Sequence, residues 1–259
     1  MLSAIDRALV TGASGGIGAA FARQLAAEGL HLVLVARSQK ELRALADELA
    51  ARHGVQTHVL VADLSQVDSA SSLFAETERL GLAVDLLVNN AGFSKGGEFT
   101  ALSFDVQAEM VRLNVNALVE LTRLYLPAMR QRGRGGVINV ASTAAWQPVP
   151  YMAVYGATKA FVLNFSEAVA AEVAADGVTV MALCPGATAT DFWATAGVWE
   201  GARASMPTAD EVVVQALLAF ERRRRYFVHG ARNKLMVWGA RLGPRRLVAS
   251  IACRMIRSR

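Results

Sequence analysis

Short, almost wholly apolar runs alternate with longer amphipathic segments from the N-terminus to about residue 184. Runs of this length, apolar at consecutive positions, are typical of strands that helices cover on both faces of a parallel sheet. The pattern predicts six strands, at Ala8–Val10, His31–Ala36, Thr57–Ala62, Leu86–Val88, Gly136–Val140 and Thr179–Leu183.

The segments between these strands carry apolar residues every three or four positions, which is the period of an α-helix. They predict helices over Gly16–Glu28, Gln39–His53, Asp105–Arg130 and Tyr151–Val173. This βαβ order predicts an α/β fold with a single doubly wound parallel sheet, Rossmann-like, and helices on both faces. Ligands of such sheets bind outside the carboxyl ends of the strands, so polar residues there are the candidates for a site.

The composition agrees with a buried sheet, since 53% of the 259 residues are hydrophobic and the mean hydropathy is +0.31. No uninterrupted apolar run reaches the about 18 residues of a membrane-spanning helix. The first ten residues include Asp6 and Arg7 and do not resemble a secretory signal. Cys184 and Cys253 lie far apart without a partner histidine, which predicts neither a disulfide nor a metal site and suits a reducing cytoplasm.

The net charge of +5 is divided unevenly along the chain. Residues 221–259 hold twelve Lys and Arg against one acid, or +11, which leaves fifteen bases and twenty-one acids, or −6, for residues 1–220. Apolar residues at helical spacing alternate with arginines there and predict a basic helical C-terminal extension over residues 231–259. A membrane surface, the body of the protein and a partner subunit are the alternatives for what it contacts. No nucleic-acid recognition motif accompanies the charge, so no nucleic acid is expected.

A glycine-rich turn follows the first strand directly and opens the first helix, in the sequence Thr11-Gly12-Ala13-Ser14-Gly15-Gly16-Ile17-Gly18. Glycines let the backbone approach a pyrophosphate, and the free N–H groups of the helix start attract its charge. The spacing is G-x-x-x-G-x-G rather than the commoner G-x-G-x-x-G. The position between strand and helix predicts a dinucleotide phosphate site rather than a simple turn.

The second strand runs into Arg37 and Ser38, at the place where units that prefer NAD usually carry an acid. A guanidinium there binds a 2′-phosphate bidentately, which favours NADP over NAD. The alternative is a surface arginine that opens the next helix. Asp63, at the end of the third strand, is either an acceptor for the adenine amino group or a helix N-cap.

Tyr155 and Lys159 are four residues apart and therefore share one face of their predicted helix. A nearby ammonium favours phenolate over phenol, which would lower the pKa of Tyr155 and suit it to acid–base chemistry. The spacing alone is weak evidence for a catalytic pair, because Tyr and Lys four residues apart occur by chance on many helices. Asn114 stands inside a predicted helix, where its side chain competes with the backbone, so we expect a non-local partner.

Taken together, these residues resemble the short-chain dehydrogenase/reductase family. Thirteen positions separate Ser142 from Tyr155, as is usual in that family. The sequence around Tyr155 is similar to bacterial reductases of unassigned substrate and to hydroxysteroid and 3-ketoacyl reductases. The resemblance covers about Ala8–Thr190 and rests on Thr11-Gly12-x-x-x-Gly16-Ile17-Gly18, Asn89-Asn90-Ala91-Gly92, Asn114, Ser142, Tyr155-x-x-x-Lys159 and Pro185-Gly186.

The resemblance implies roles for individual residues. Tyr155 would protonate the carbonyl oxygen of the substrate, and Lys159 would lower its pKa and hold the nicotinamide ribose. Ser142 would hydrogen-bond the substrate oxygen, and Asn114 would position a water that links Lys159 to solvent. The implied cofactor-binding residues are Gly12, Ser14, Gly15, Gly16, Ile17, Gly18, Arg37, Ser38, Asp63, Leu64, Asn90, Ala91, Gly92, Tyr155, Lys159, Pro185, Gly186, Thr188 and Thr190.

The resemblance also implies a catalytic domain over residues 1–230 with a substrate lid at about residues 188–210. The expected substrate pocket consists of Ser142, Trp146, Tyr151, Phe192 and Trp193. Aromatic side chains there suit an apolar carbonyl compound, and packing in the core or in a subunit interface is the alternative.

The expected function is that of an NADP(H)-dependent oxidoreductase that interconverts a carbonyl and an alcohol on an apolar small molecule. The expected protein is a cytoplasmic homodimer or homotetramer, with surface contact to a membrane through the C-terminal extension. The alternatives are an NAD-dependent alcohol dehydrogenase and a membrane-recruited cofactor-binding protein with little catalytic activity.

Overall fold

Seven parallel strands form one sheet in the computed structural model, which describes residues 2–192 and 206–257, without the side chains of residues 255–257. The strands are β1 (Arg7–Thr11), β2 (His31–Ala36), β3 (Thr57–Val61), β4 (Leu86–Asn89), β5 (Gly135–Val140), β6 (Val178–Cys184) and β7 (Tyr226–Val228). Their order in the sheet is β3-β2-β1-β4-β5-β6-β7, and every neighbouring pair is parallel.

Helices cover both faces of the sheet, as the sequence predicts. One face packs against α1 (Gly16–Ala27), α2 (Gln39–His53) and α7 (Ala209–Glu221). The other packs against α3 (Ser69–Arg79), α5 (Ala117–Arg132) and α6 (Ala153–Glu172). The remaining α-helices of the described residues are α4 (Phe104–Val111), α8 (Ala231–Leu242) and α9 (Arg245–Arg257).

The apolar runs form central strands because both faces of each strand are buried. In β1, Ala8 and Val10 belong to the core under α1, whereas Leu9 belongs to the core on the opposite face. Successive side chains of a strand point to opposite faces of the sheet, so a strand buried on one face only would show apolar and polar residues in alternation. The doubly wound fold predicted from continuous apolar runs is confirmed.

Strand β7 is an element that the sequence pattern does not predict. It has only three residues and follows the exposed run Arg222–Arg225, so no apolar period marks it. Its residues extend the sheet because they pair with Ala182–Cys184 of β6. Long-range pairing, rather than local preference, forms this strand.

The long helix predicted over Asp105–Arg130 is divided in the structure. A π-helical segment, Arg112–Asn116, separates α4 from α5, and Asn114 lies inside it. The helix that carries Tyr155 begins at Ala153 rather than at Tyr151, since Tyr151 has a left-handed φ of 62° that cannot continue a right-handed helix. The helical nature of the C-terminal extension is confirmed, while a domain boundary at residue 230 stays a prediction.

The chain reverses its winding direction between β1 and β4, which are neighbours in the sheet although β2 and β3 come between them in sequence. Helices that follow β1 and β4 therefore lie on opposite faces, and a crevice opens beyond the carboxyl ends of these two strands. The glycine-rich turn follows β1 and Asn90 follows β4, so the fold places both at that crevice.

Candidate active site

A crevice of about 1220 Å³ runs along the carboxyl ends of the strands. This volume exceeds the range of about 300–1,000 Å³ that is typical of small-molecule pockets, so a dinucleotide and a second molecule fit together. The predicted site residues that line it are Gly12, Ser14, Gly15, Gly16, Ile17, Arg37, Ser38, Asp63, Leu64, Asn90, Ala91, Gly92, Ser142, Tyr155, Lys159, Pro185, Gly186, Thr188, Thr190 and Phe192.

The glycine-rich turn is held from behind by hydrogen bonds to the segment after β4. The Thr11 hydroxyl donates to the Val88 carbonyl at 3.2 Å and accepts the N–H groups of Asn90 and Ala91 at 2.9 and 3.0 Å. The Asn90 amide donates in turn to the carbonyls of Thr11 and Gly12, at 2.9 and 3.2 Å. These bonds fix the turn before any ligand binds, which lowers the entropic cost of binding.

The start of α1 suits a phosphate group. Gly12 and Gly16 have left-handed φ values of 65° and 54°, and no side chain caps the helix at Gly15. A Cβ placed on Gly15 would meet nothing within 4 Å, so the backbone there faces open space. Uncapped N–H groups at a helix N-terminus bind anions, and the residues present therefore fit a dinucleotide pyrophosphate.

Gly18 does not line the crevice, but it sets the distance between α1 and the turn. A Cβ on Gly18 would clash with the Gly12 carbonyl oxygen and with the amide nitrogen of Asn90. We expect Gly18→Ala to lower the free energy of unfolding by about 1–3 kcal/mol, because backbone must move to admit the methyl group. Urea denaturation of the cofactor-free protein measures this change.

The matched control for that prediction is Gly15→Ala, since Gly15 has an extended φ of −176° and open space around it. We expect its unfolding free energy to stay within about 0.5 kcal/mol of the parent value. Equal stability of the Gly18→Ala protein and the control would contradict the packing described for the turn.

Arg37 and Asp63 lie near each other at the ends of β2 and β3. Burial raises the pKa of the Asp63 carboxyl, but hydrogen bonds from Ser65 and Gln66 and the charge of Arg37 outweigh it, so the pKa is lowered overall. The Asp63 carboxylate accepts from the hydroxyl of Ser65 at 2.8 Å and from its N–H at 3.1 Å. The Arg37 side chain is exposed at the crevice.

Tyr155, Ser142 and Lys159 meet on the wall of the crevice below the end of β5. Tyr155 and Lys159 are only 7% and 5% exposed, and the Lys159 ammonium lies 5.9 Å from the centre of the Tyr155 ring. Lys159 donates to the Val140 carbonyl at 2.7 Å. The Ser142 hydroxyl accepts from the Ala144 N–H at 3.1 Å, which leaves its own proton for Tyr155 or a ligand.

The expected lowering of the Tyr155 pKa by Lys159 is wrong for the cofactor-free protein. Burial raises the pKa of the Tyr155 phenol to about 12, and the hydrogen bond with Ser142 opposes the rise only in part. Burial also lowers the pKa of Lys159 to about 8, so the ammonium near the phenol is itself desolvated. The phenol therefore keeps its proton at neutral pH.

The buried Lys159 makes stability depend on pH. Its pKa of about 8 in the folded protein lies below the ordinary 10.5, so folding is penalised wherever the lysine is charged. The penalty is fully present below about pH 8 and disappears as the pH rises to 10.5. At about 1.4 kcal/mol per pKa unit, we expect the parent to gain about 3 kcal/mol relative to Lys159→Met across this interval.

Urea denaturation of the cofactor-free parent and variant at both ends of that pH interval measures the gain. The unfolding free energy of the parent minus that of the variant should rise by about 3 kcal/mol between these pH values, because methionine carries no charge to desolvate. Lys40→Met, at an exposed position of α2, is the control and should show no such trend. A Lys159→Met difference that stays constant with pH would contradict the burial of the ammonium.

Asn114 does not line the crevice but connects the wall to the helix of Tyr155. Its amide oxygen accepts from the Phe93 N–H at 3.1 Å, and its amide nitrogen donates to the Phe93 carbonyl at 3.0 Å and the Thr158 hydroxyl at 3.2 Å. The Thr158 hydroxyl donates to the Tyr155 carbonyl at 2.8 Å. These are non-local partners of the kind that the sequence predicts for an asparagine inside a helix.

Two residues of the expected substrate pocket lie elsewhere. The Trp146 ring packs edge-on against Tyr226, with ring centres 5.3 Å apart, and the Arg241 guanidinium covers it at 5.2 Å. Tyr151 lines a small separate pocket beside Gly97. The structure therefore brings neither to the crevice. Trp193 falls outside the described residues.

Phe192 does face the crevice, with its ring centre 5.6 Å from that of Tyr155. The crevice is also lined by residues that the sequence did not single out as site residues, because they belong to α8 or to loops without a motif. They are Gln147, His229, Arg232, Asn233 and Met236; Met206, which lies within the expected lid, lines it as well. The wall of the crevice is thus partly apolar, and the start of α8 forms part of it.

Known proteins are similar to most of this chain. The sequence model of the family described as short chain dehydrogenase matches residues 6–201. A very-long-chain 3-oxoacyl-CoA reductase from Anas platyrhynchos is 36% identical over 190 residues, which are 71% of this chain and 60% of that protein. The chain thus matches less than two thirds of the length of this relative.

Two solved structures are similar over almost the whole chain. A short-chain dehydrogenase from Sphingobium yanoikuyae in complex with NADPH is 35% identical, with a TM-score of 0.83 over 92% of this chain and 94% of that one. A 7β-hydroxysteroid dehydrogenase is 30% identical, with a TM-score of 0.86 over 95% of this chain and 96% of that one.

Proposed function

This chain belongs to the short-chain dehydrogenase/reductase family, and we propose that it uses NADPH to reduce a carbonyl group on an apolar small molecule. The observation that carries the proposal is the convergence of Ser142, Tyr155 and Lys159 on the same crevice as the glycine-rich turn. A proton donor and a dinucleotide site within one crevice suit a reaction that adds a hydride and a proton to a carbonyl.

Three features support NADPH as the cofactor. The uncapped start of α1 suits the pyrophosphate, and the exposed Arg37 suits a 2′-phosphate. The similar short-chain dehydrogenase from Sphingobium yanoikuyae binds NADPH. When bound, the nicotinamide would supply the hydride.

In this proposal Tyr155 gives its proton to the substrate oxygen while Ser142 donates a hydrogen bond to the same oxygen. A phenol whose pKa is raised to about 12 stays protonated at neutral pH, so the proton is present when the substrate binds. The same shift makes the phenol a weaker acid, so the transfer needs a cation that stabilises the phenolate. Lys159 holds the nicotinamide ribose and stabilises the phenolate that remains, because its ammonium lies beside the ring.

Asn114 serves proton resupply in the proposal. A carbonyl oxygen accepts two hydrogen bonds, and the amide oxygen of Asn114 accepts one from Phe93. We assign the second to a water that connects Lys159 with solvent. A Cβ on Gly92 would lie 2.9 Å from that oxygen and 3.6 Å from the Lys159 ammonium, so the two groups lie close together beside Gly92.

The substrate class follows from the part of the crevice beyond Tyr155. Val149, Met152 and Phe192 cluster with Tyr155, and Met206 and Met236 also line the crevice; these apolar side chains favour an apolar molecule. A relative named as a very-long-chain 3-oxoacyl-CoA reductase and a similar 7β-hydroxysteroid dehydrogenase agree with a bulky apolar substrate.

We also propose that the chain forms a homodimer or homotetramer in the cytoplasm. The outer face of α6 carries Phe161, which is 44% exposed and stacks on Phe165 at 5.8 Å. An exposed aromatic side chain on a helix, beside a half-buried one, is a candidate for a subunit contact. Both cysteines are free thiols, which suits a reducing compartment.

A panel of ketones followed by NADPH absorbance tests the function. The panel contains a steroid ketone, a bulky aryl ketone, a long-chain 3-ketoacyl thioester and a small polar ketone. We expect consumption of NADPH with at least one apolar member and little with the polar one. Consumption that is confined to the polar ketone would contradict the apolar substrate class, and none with any carbonyl would contradict the proposed reaction.

A further inference from the structure

Helix α8 presents large apolar side chains to solvent. Leu235, Trp238 and Leu242 are 76%, 68% and 75% exposed. Their spacing of three and four residues places them on one face of the helix. Val237 is buried, so the helix is attached to the body by another face. An exposed stripe of this kind marks an interaction surface rather than a scatter of single apolar residues.

Helix α9 repeats the arrangement after Pro244. Val248 and Ala252 are the more buried residues of one face, whereas Leu247 and Ile251 are 56% and 50% exposed. The larger apolar side chains therefore point away from the protein, the reverse of a helix that is packed for the stability of its own fold.

Positive charge surrounds both helices. Residues 222–259 hold twelve Lys and Arg and no Asp or Glu. Arg232, Lys234, Arg245, Arg246 and Arg254 are all exposed. A helix with an exposed apolar stripe flanked by cations has the features of segments that lie in the interface of an anionic bilayer. No helix of the described residues is long and apolar enough to cross a membrane.

Helix α8 also borders the crevice. Arg232, Asn233 and Met236 line it, and Met236 lies next to the exposed Leu235 in sequence. The exposed stripe and part of the crevice wall are therefore on the same helix. A surface that attached through the stripe would lie next to the crevice.

We propose that α8 and α9 form a docking face for the surface of a bilayer that contains anionic lipids, and that docking seats the crevice mouth at the lipid. Leu235, Trp238, Leu242, Leu247 and Ile251 insert among the acyl chains, while the arginines contact the headgroups. The supply of an apolar carbonyl compound from the bilayer rests on the proposed function; the docking itself does not.

Charge selects the bilayer over other occupants. A second copy that paired symmetrically through this face would bring two regions of +7 together, because residues 231–257 hold seven Lys and Arg and no acid. Nucleic acid would accept the cations but leaves exposed leucines and a tryptophan without an apolar partner. An anionic bilayer accepts both groups of side chains.

Flotation with vesicles, in the absence of NADPH and substrate, tests the docking. The vesicles are phosphatidylcholine alone and an equal mixture of phosphatidylcholine and phosphatidylglycerol. We expect the full chain to float with the mixed vesicles and to stay at the bottom with the neutral ones. The triple variant Leu235→Ser, Trp238→Ser, Leu242→Ser should bind at least about tenfold more weakly.

Two further variants sharpen the test. Arg245→Gln with Arg246→Gln should weaken binding roughly fivefold for each charge removed. Val67→Ser with Phe104→Ser removes side chains that are 81% and 80% exposed elsewhere on the surface, and should bind as the parent does. Circular dichroism checks that each variant is folded.

Equal binding to neutral and anionic vesicles, or no binding to either, overturns the proposal. A parent that is oligomeric by sedimentation while the triple variant is monomeric assigns the face to a second copy and overturns it as well. Because vesicle binding is read without turnover, its failure is distinguishable from a failure of the reductase function. Activity of the triple variant on a water-soluble ketone should equal that of the parent.

Discussion

Replacing Tyr155 with phenylalanine should lower kcat by about 10³-fold or more while NADPH affinity stays within about twofold. Positioned proton transfer contributes about 10²–10⁴ to such reactions, and phenylalanine keeps the ring but not the proton. The ring contact with Phe192 and the burial of the site remain. Steady-state rates with NADPH and an accepted ketone, and fluorescence titration of NADPH, measure the two quantities.

Tyr125→Phe is the matched control. Tyr125 is also a buried tyrosine, with a hydrogen bond of 2.8 Å to the Thr77 hydroxyl, but it lies in the core between α3 and α5, away from the crevice. Its loss should cost about 1 kcal/mol of stability and leave turnover unchanged. Retained turnover in the Tyr155→Phe protein would contradict the role of Tyr155 as the proton donor.

Changing Arg37 to aspartate should weaken NADPH binding about 100-fold and leave NADH binding equal or slightly stronger. The guanidinium would otherwise pair with the 2′-phosphate, and a carboxylate in its place repels that group. The 2′-hydroxyl of NADH can instead donate to the new carboxylate. Titration of the parent and the variant with both cofactors measures the change.

Arg43→Asp controls for the change of charge, because Arg43 is exposed on α2 and does not line the crevice. We expect it to leave the ratio of NADPH to NADH affinity within about threefold of the parent ratio. An Arg37→Asp protein that still prefers NADPH would contradict the role of Arg37 and show that another group binds the 2′-phosphate.

Local patterns in the sequence predict those parts of the fold that depend on the burial of neighbouring residues in the chain. Continuous apolar runs such as His31–Ala36 require cover on both faces, and this determines the doubly wound sheet. The carboxyl ends of parallel strands meet at one edge, so Gly12, Arg37 and Ser142 can be assigned to one crevice without coordinates.

The errors occur where distant contacts decide. Strand β7 forms by pairing with β6, and Trp146 turns away from the crevice because Tyr226 and Arg241 cover its ring from other elements. Tyr151 leaves the predicted helix through a left-handed φ, and its carbonyl accepts from the Gly97 N–H at 2.8 Å. None of these partners is close in sequence.

The expected direction of the Tyr155 pKa shift is also wrong, because the shift depends on residues that are distant in sequence. Spacing shows that Lys159 is a neighbour, but it does not show how deeply the pair is buried. Burial penalises both charged forms, raising the pKa of the phenol and lowering that of the ammonium. The proton is therefore retained on the tyrosine in the free protein, and its transfer in the reaction requires stabilisation of the phenolate that forms.

Transfer of deuterium from labelled NADPH tests the central claim most directly. The cofactor carries deuterium at the hydride position of the nicotinamide, and the product of an accepted ketone is analysed by mass spectrometry. We predict an alcohol with one deuterium on its carbinol carbon, formed by the parent protein and about 10³-fold more slowly by the Tyr155→Phe protein. An alcohol without deuterium on that carbon, or labelled product at the parent rate from the variant, would contradict the account.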